Sequence, residues 1–369
     1  MLAHTVTLAQ RTKEILYVGT WSLRDSKGVY VFEFDRVRGK LKLLQTIHAQ
    51  RGSNFLEPHA SGKFLYTVNK ASLDEMKNSG SVSAFRIDSK TGTLSLLNER
   101  PSYGNDPCHV NIDKTGKWAF VSNYSEGNFV VLPIFDDGLL GSSSDSRKHL
   151  GGSVNPERQT KSHVHAAMIS PDNRFVVVAD LGTDKVFSYK FDVSSGRISD
   201  ADKPYAEVRP GCGPRHIAFH PSGKYVYVSE ELTSTVAVFS YDKEKGALDV
   251  ISDSVACLPS SFTGTSWLAD IHTDPKGNFL YASNRGHNSL SIFKILPSGQ
   301  IQLIGHEDTR GKTPRNFLVD KKGEYVLVAN QDTDNIVVFK RDQKTGKLRY
   351  TGNQYKVPAP VCLKMVTLK

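Results

Sequence analysis

The stretch that decides the fold is GPRHIAFHPSGKYVYVSEE, residues 213–231. It reads as a short strand, a tight Pro-Ser-Gly turn and a second strand rich in β-branched and aromatic residues. Because antiparallel pairing places the start of the first strand beside the end of the second, Arg215 and Glu231 are expected at the same edge of the sheet. The stretch therefore predicts a hairpin with a guanidinium and a carboxylate at one end.

The second strand of this hairpin belongs to a repeat. Its seven copies are ILYVG (15–19), FLYTVN (64–69), WAFVSN (118–123), FVVVAD (175–180), YVYVSE (225–230), FLYASN (279–284) and YVLVAN (325–330). Each copy is followed by a third strand and, in most cases, by a glycine-containing turn and a fourth strand. A period of roughly 50 residues with four strands per unit is typical of propeller repeats. We therefore predict an all-β, seven-bladed β-propeller with four antiparallel strands per blade.

The two ends of the chain predict how the ring closes. The first unit lacks an innermost strand, and an extra copy, VCLKMVT, stands at residues 361–367. We expect this C-terminal strand to complete the first blade, which removes the open edges of the ring. Residues 14–369 then form a single propeller domain, and residues 1–13 form an N-terminal tail. The first ten residues also fit the remnant of an export signal, but they lack a basic start and a long apolar middle.

Composition narrows the classes of partner. The 369-residue chain carries a formal net charge of +9, but its lysines are scattered and form no basic helix or aromatic stripe of the kind that reads nucleic acid. No apolar run reaches the length of about 18 residues that a membrane span needs. The four cysteines are widely separated, which favours free thiols in a reducing compartment. We expect a cytoplasmic monomer or weak dimer that binds neither nucleic acid nor membrane.

In a propeller, the starts of innermost strands and the ends of second strands surround one mouth of the central channel. The innermost strands place there Cys108, His109, His163, His165, Arg215, His216, Trp267, Asp270, Arg315 and Asn316. The second strands place there Asn69, Lys70, Asn123, Asp180, Glu230, Glu231, Asn284, Arg285 and Asn330. The opposite mouth receives turns that look structural. This asymmetry predicts a functional site at the first mouth.

Arginines, imidazoles and one or two carboxylates suit a small anion that undergoes proton transfer. Arg215 and Arg285 can clamp a phosphate or carboxylate, with Arg315 and His163 as further binding residues. His165 and Glu231 are candidates for carrying protons or activating water. The alternative is that these polar groups bind only buried water and one another.

Three other hypotheses concern single residue types. His163-Val164-His165 has the alternate spacing of a metal pair, but no carboxylate-rich partner set accompanies it. A nucleophilic thiol at Cys108 or Cys212 is disfavoured because small thiols commonly pack. His220 and His272 are interpreted as buried packing or hydrogen-bonding groups.

One segment departs from the repeat. Residues 138–161 are too polar and too rich in turns for a full-length strand pair. Because blade-to-blade connections emerge at the mouth that carries Arg215 and Glu231, this segment is either a lid over the site or a plain surface insertion.

Several motifs, in this order and spacing, resemble the lactonase family of seven-bladed propellers. They are NPERQ (155–159), HVH (163–165), GPRH (213–216), EEL (230–232), WLADIH (267–272), SNRG (283–286) and TPRNF (313–317). The family includes propeller-type 6-phosphogluconolactonase of bacteria and fungal carboxymuconate lactonizing enzymes. The sequence departs from the family pattern at Lys70, where many members have an acidic residue, and at Glu230, which doubles the carboxylate.

The resemblance implies a site that needs neither metal nor cofactor. It places His165 and Glu231 at acid–base positions and Arg215 and Arg285 at anion-binding positions. The implied activity is hydrolysis of a small anionic lactone, 6-phosphogluconolactone of the pentose phosphate pathway. The alternatives are a cyclase or hydrolase of another carboxylated lactone, and a propeller that only binds a partner.

Overall fold

A computed structural model describes residues 12–48, 52–70 and 79–368 of the chain. Its strands are β1 (Lys13–Thr20), β2 (Gly28–Asp35), β3 (Lys40–His48), β4 (Ser53–Pro58), β5 (Phe64–Asn69), β6 (Ser81–Ile87), β7 (Leu94–Pro101), β8 (Pro107–Ile112), β9 (Trp118–Asn123), β10 (Asn128–Pro133), β11 (Asp145–Lys148), β12 (Val164–Ile169), β13 (Phe175–Asp180), β14 (Lys185–Asp192), β15 (Arg197–Glu207), β16 (Pro214–Phe219), β17 (Tyr225–Glu230), β18 (Thr235–Asp242), β19 (Ala247–Ala256), β20 (Trp267–Thr273), β21 (Phe279–Arg285), β22 (Ser289–Ile295), β23 (Ile301–Asp308), β24 (Pro314–Val319), β25 (Tyr325–Asn330), β26 (Asn335–Arg341), β27 (Leu348–Lys356) and β28 (Pro360–Leu368).

These strands form seven four-stranded antiparallel sheets, which confirms the predicted propeller. Six blades take their strands in chain order, and the first has the order β28-β1-β2-β3. The C-terminal strand pairs along the whole of β1, from Lys13 opposite Leu368 to Gly19 opposite Cys362. The predicted closure is therefore confirmed. The N-terminal tail lies outside the described residues as far as residue 11, and β1 begins at Lys13.

The hydrophobic core is divided among the gaps between neighbouring blades. One cluster joins blades four and five, another joins blades five and six, and a third joins blade seven to blade one. Because each sheet is covered on both faces, the second strands β5, β13 and β25 are buried along their whole length. The ring is thus held by seven similar interfaces, and polar groups are left to line its axis.

Buried tyrosines link several blades to the next. Tyr17 lies in β1, is fully buried and donates its hydroxyl to the carbonyl of Gly92 at 2.9 Å. Gly92 has φ of +79°, and a Cβ there would lie 2.5 Å from Ile15, so the turn requires glycine. Tyr66, Tyr227 and Tyr281 repeat the contact with glycine carbonyls in later turns. These turns are structural, as the predicted asymmetry of the two mouths requires.

A β-bulge interrupts the innermost strand of all seven blades near the first mouth. Pairing with the second strand shifts across Asn54 in β4, Cys108 in β8, His165 in β12, residues 215–216 in β16, residues 269–270 in β20, Arg315 in β24 and Val361 in β28. A bulge frees an extra residue from the ladder and redirects its side chain. The channel side chains at this mouth therefore come largely from bulged positions.

The segment at residues 138–161 is partly regular. It contains β11, a four-residue strand that pairs with β10 as the outer strand of the third blade. The rest of the segment connects to β12 at the first mouth.

His220 and His272 were predicted to be buried, but both are half-buried. Each is hydrogen-bonded, His220 to the Gly277 carbonyl and His272 to Asp270. Among the described residues, none forms a helix long and apolar enough to cross a membrane.

Candidate active site

The site is built around Glu231, the first residue after β17. Its backbone N–H donates to the Gly213 carbonyl at 2.7 Å, which ties the end of the second strand to the start of the first. Its side chain is 4% exposed and lies at the channel mouth. Arg215 Nε donates to Glu231 Oε2 at 2.9 Å, as the hairpin register predicts.

Two further guanidiniums contact the same carboxylate. Arg285 Nη2 lies 2.9 Å from Glu231 Oε2, and Arg158 Nη2 donates to Oε1 at 2.7 Å. Arg285 comes from the next blade, and Arg158 comes from the connection into the preceding one. Three blades therefore converge on one carboxylate. The contact from Arg158 also shows that the segment after β11 reaches the site.

The electrostatics of Glu231 follow from this convergence. Burial alone would raise the pKa of the carboxyl, but Arg285, Arg215 and Arg158 together hold it well below the usual value. Glu231 is therefore ionised at neutral pH. With both oxygens accepting from guanidiniums, it is a poor proton carrier and a strong organiser of the arginines around it.

His165 stands beside this cluster in its neutral form. Its Nε2 lies 4.0 Å from Glu231 Oε2, and the ring is 4% exposed. Burial, followed by the charge of Arg215, lowers the pKa of His165 well below the usual value. The sequence prediction that His165, Arg215, Glu231 and Arg285 meet at one mouth agrees with this placement. Their chemical roles stay predictions.

The guanidiniums retain binding capacity. Arg215 Nη1 and Arg285 Nε are buried and have no acceptor among the described residues. Burial and the neighbouring Arg285 lower the pKa of Arg215 to about 10, and burial with Arg285 and Arg215 lowers that of Arg315 to about 9. Both groups stay protonated at neutral pH. An excess of positive charge at a buried site attracts an anion that can accept these hydrogen bonds.

Two further cationic side chains, Arg315 and Lys70, lie against the Trp21 ring at the outer rim of the site. The Arg315 guanidinium is 5.3 Å from the centre of the indole ring, and Lys70 Nζ is 4.9 Å from it. Lys70 also forms an ion pair of 3.1 Å with Asp106. Trp21 and Arg315 line the same small cavity as His165 and Arg215. The rim therefore extends the positive site outward along an aromatic surface.

His163 lies to one side of this cavity. Its ring stacks on Tyr124 at 4.3 Å between centroids, and its Nδ1 lies 3.0 Å from the Tyr124 carbonyl oxygen. Tyr124 meets His165 through an edge contact, and its hydroxyl accepts from Arg158 at 3.2 Å. Tyr124 thus separates the two histidines of the HVH motif. No group of three potential ligands occurs within the described ranges to complete a metal site around them.

Most of the residues at second-strand ends bind groups within the blades, which is the alternative left open for the polar residues of this mouth. They are buried and hydrogen-bond to nearby strands or turns, as do Asn69, Asn123, Asp180, Glu230, Asn284 and Asn330. The physical reason is strand alternation, which turns the last residue of each strand into the blade. Glu231 and Arg285 are the exceptions that face the guanidinium cluster.

The thiols are poor nucleophiles. Cys108 borders the cavity, but burial strongly raises its pKa, and burial also raises that of Cys212. Cys108 Sγ instead contacts the His165 carbonyl at 3.2 Å. Both therefore fit the predicted packing role.

Sequence reasoning missed Arg158, Tyr124 and the pairing of His216 with Asp270. Arg158 lies 73 residues from Glu231 in the chain, inside the segment interpreted as a lid or insertion. Its place in the NPERQ motif was the available signal. His216 Nδ1 lies 2.7 Å from Asp270 Oδ1, although 54 residues separate them.

Comparison with known proteins identifies the family. The model described as "Lactonase, 7-bladed beta-propeller" matches residues 15–365. The chain belongs to this lactonase family. Because the match spans every blade, the family assignment applies to the whole propeller.

Relatives of this lactonase are similar along almost their whole length. A 6-phosphogluconolactonase of Bacillus subtilis is 35% identical, with 96% of this chain and 99% of the relative covered. One from Formosa agariphila is 36% identical, with 95% and 99% covered. The solved structure of a periplasmic gluconolactonase from Pseudomonas aeruginosa superposes with a TM-score of 0.90 at 30% identity, covering 97% of this chain and 100% of that one.

Proposed function

We propose that this lactonase hydrolyses 6-phosphogluconolactone at the mouth around Glu231. The observation that carries the proposal is the cluster of Arg158, Arg215 and Arg285 on one buried carboxylate, with guanidinium N–H groups left to bind a ligand. The names of the relatives from Bacillus subtilis and Formosa agariphila support this substrate.

The chemistry suits a cationic site. Attack of water on the lactone carbonyl places negative charge on oxygen, and opening of the ring produces a carboxylate. The buried N–H groups of Arg215 and Arg285 can donate to that developing charge, and donors placed in advance stabilise it without reorganisation. Neutral His165 lies close enough to help orient the water, and Glu231 holds the two guanidiniums in place.

The rim supplies a place for the phosphate. The cavity of about 20 Å³ beside His165 and Arg215 has room for one water, so the lactone ring would lie over it at the mouth, with the phosphorylated end toward Arg315 and Lys70 on Trp21. A phosphate accepts charge-assisted hydrogen bonds from both cations. We propose that this pair provides the preference for a phosphorylated substrate.

The test compares lactone opening, above the spontaneous background, for 6-phosphogluconolactone and unphosphorylated gluconolactone. Replacing Arg315 by Gln and Lys70 by Met should each raise KM for the phosphorylated lactone by roughly 10- to 100-fold, the size of a lost hydrogen bond to a charged group. KM for gluconolactone should change much less. Lys344→Met, an exposed lysine in the turn between β26 and β27, is the matched control. Equal effects on both substrates would contradict a phosphate subsite.

Unphosphorylated gluconolactone is the second candidate, favoured by the similarity to the Pseudomonas aeruginosa enzyme. A wild-type protein with equal kcat/KM for the two lactones would support it.

We also propose a cytoplasmic location, supported by four cysteines that are all free thiols. Fractionation of cells, with and without residues 1–10 of the chain, tests that location.

A further inference from the structure

Directly below the guanidinium cluster, His216 is paired with a buried carboxylate. His216 Nδ1 lies 2.7 Å from Asp270 Oδ1, and the two residues are 6% and 3% exposed. Burial alone would raise the pKa of Asp270, but His272 and His216 hold it well below the usual value, so the carboxylate only accepts. The proton of neutral His216 therefore sits on Nδ1, and Nε2 presents a lone pair.

The free nitrogen belongs to the site. His216 Nε2 is buried and finds no partner in the part of the chain that the structure describes. His216 lines the same cavity as His165, Arg215 and Arg315. This cavity of about 20 Å³ has room for one water, which would lie between the basic nitrogen of His216 and a ligand bound by these arginines.

Asp270 is itself held from the other half of the channel. Its Oδ2 accepts from Asn316 Nδ2 at 2.5 Å and from the Phe317 N–H at 3.3 Å, and lies 2.8 Å from His272 Nε2. Asp270 and His272 line a cavity of about 780 Å³ in that half. The carboxylate is thus fixed on one side and directed at His216 on the other.

We propose that His216 is the general base of lactone opening, with Asp270 as the residue that positions it. The proposal rests on the proposed function of this site. It assigns the proton-transfer step to a residue outside the set of His165 and Glu231.

The charge around each candidate base decides between them. Taking up a proton turns an imidazole into a cation. On His165 that cation would face Arg215, Arg285 and Arg315, and the carboxylate nearest to it, that of Glu231 at 4.0 Å, is already paired with guanidiniums. On His216 the cation would touch the Asp270 carboxylate at 2.7 Å. Glu231 already accepts from three guanidiniums and has little basicity left.

The titratable and charged groups that face His216 come from several blades. The rings of His109 and His165 lie 5.7 and 5.2 Å from its ring between centroids. Arg215 precedes it in β16, and Asp270, which also pairs with His272, accepts from its Nδ1. Burial, followed by Arg215, lowers the pKa of His216 to about 4, while Asp270 opposes this shift. His216 is therefore neutral at neutral pH, and its Nε2 lone pair is available.

In the proposed step, His216 carries one proton from the attacking water to the ring oxygen that leaves. Nε2 takes one proton from water as the water oxygen forms a bond to the lactone carbonyl carbon, and the carbonyl electron pair moves onto its oxygen beside the guanidiniums. When the carbonyl reforms, the bond to the ring oxygen breaks and Nε2–H returns the proton to that oxygen. The new carboxylic acid then loses its remaining proton to solvent. The net change is lactone and water to hydroxycarboxylate and one proton.

A double-mutant cycle on kcat tests the proposal, using whichever lactone the wild-type protein opens. His216→Gln should lower kcat by about 10²–10⁴-fold, the usual contribution of a general base. Asp270→Asn should lower it by at least about 10²-fold, because Asn cannot stabilise the imidazolium. If Asp270 acts through His216, adding Asp270→Asn to His216→Gln should cost less than about threefold more. His149→Gln, which removes an equally buried imidazole that pairs with the Asp180 carboxylate away from the channel, should leave kcat within about threefold of the wild type.

Melting temperatures and the pH profile separate chemistry from folding. In the wild type, kcat/KM should fall as the pH drops toward 4, and this acid limb should disappear in His216→Gln. A variant that melts like the wild type and still loses kcat supports the proposal. Full activity in a folded His216→Gln, or independent losses from the two substitutions, overturns it. The assay can use any lactone that the wild-type protein hydrolyses. An error in the proposed substrate would therefore be distinguished from an error in the assignment of His216 as the general base.

Discussion

Glu230 and Glu231 are neighbours in the chain, both buried, and they occupy opposite electrostatic environments. Glu231 faces three guanidiniums, which hold its pKa well below the usual value. Glu230 turns into its blade, where Thr235 Oγ1 donates to its Oε2 at 2.6 Å. Burial raises the pKa of Glu230 to about 7. One carboxylate is thus a charged organiser of the site, and the other is close to neutral in the interior.

Burial alone therefore does not determine the charge of a side chain. Both residues lose almost all contact with solvent, at 0% and 4% exposure. Only the direction of each side chain differs, because successive residues of a strand point to opposite faces. The channel face collects cations from several blades, whereas the blade face offers hydroxyls and apolar groups.

The largest expected effect comes from Glu231→Gln. The change leaves Arg158, Arg215 and Arg285 without their charged acceptor, and removing one partner of a buried ion pair costs about 3–5 kcal/mol in the free energy of unfolding. Since the folded pKa is depressed, the stabilisation is present at neutral pH and is lost as the pH falls below the ordinary glutamate value of 4.5. Urea unfolding at pH 7 and pH 3 measures the difference, because at pH 4 the depressed pKa still leaves most of the stabilisation in place. A constant penalty at both pH values would contradict the ionised state of Glu231.

Glu230→Gln should have the opposite sign. With a folded pKa near 7 against 4.5 in the unfolded chain, the wild type loses stability as the pH rises between these values. The neutral amide avoids this loss, so the variant should be more stable than the wild type by about 3 kcal/mol at pH 8 and about equal to it at pH 4. The same unfolding series measures it. Glu244→Gln, an exposed carboxylate, is the control, and a similar gain there would refute the assignment to Glu230.

Arg158→Ala probes the most exposed of the three guanidiniums. Its side chain is 34% exposed, so solvent screens the pair with Glu231, and we expect a loss of about 1 kcal/mol in the free energy of unfolding and up to about tenfold in kcat/KM. Tyr124→Phe removes only the 3.2 Å contact to the same guanidinium and serves as the matched variant. An effect of Arg158→Ala as large as that of Glu231→Gln would show that the three arginines act as one unit.

The smallest effect is expected for Thr235→Val, which removes the hydroxyl that donates to Glu230. The lost hydrogen bond should cost about 1 kcal/mol of stability. Since the hydroxyl favours the ionised carboxylate, the cost should be greater at pH 8 than at pH 5. Thermal melts at the two pH values decide this. An identical cost at both would mean that Thr235 does not influence the charge of Glu230.

Much of the architecture was predictable from local patterns. The repeat of β-rich hairpins predicted seven blades, and the extra strand copy at residues 361–367 predicted the closure that β28 makes with β1. The hairpin register predicted the meeting of Arg215 and Glu231, because both residues belong to one short antiparallel pair. The repeat geometry placed His165 and Arg285, from the neighbouring blades, at the same mouth, and the family resemblance assigned the same four residues to the site.

The bulges were not predictable in the same way. A bulge depends on the fit of an innermost strand to the crowded axis of the ring, and residues such as Asn54 and His216 reach the cavity from such positions. The pairing of His216 with Asp270 likewise joins adjacent blades. No local pattern in either strand carries that information.

The sequence by itself determined the periodicity, the closed ring and the mouth at which polar residues gather, because each of these follows from strand alternation and from pairing between segments close in the chain. Only the tertiary structure decided that Arg158 is the third guanidinium on Glu231 and that His216 pairs with Asp270. These pairings form between blades. They depend on how the closed ring places side chains that lie 54 and 73 residues apart in the chain.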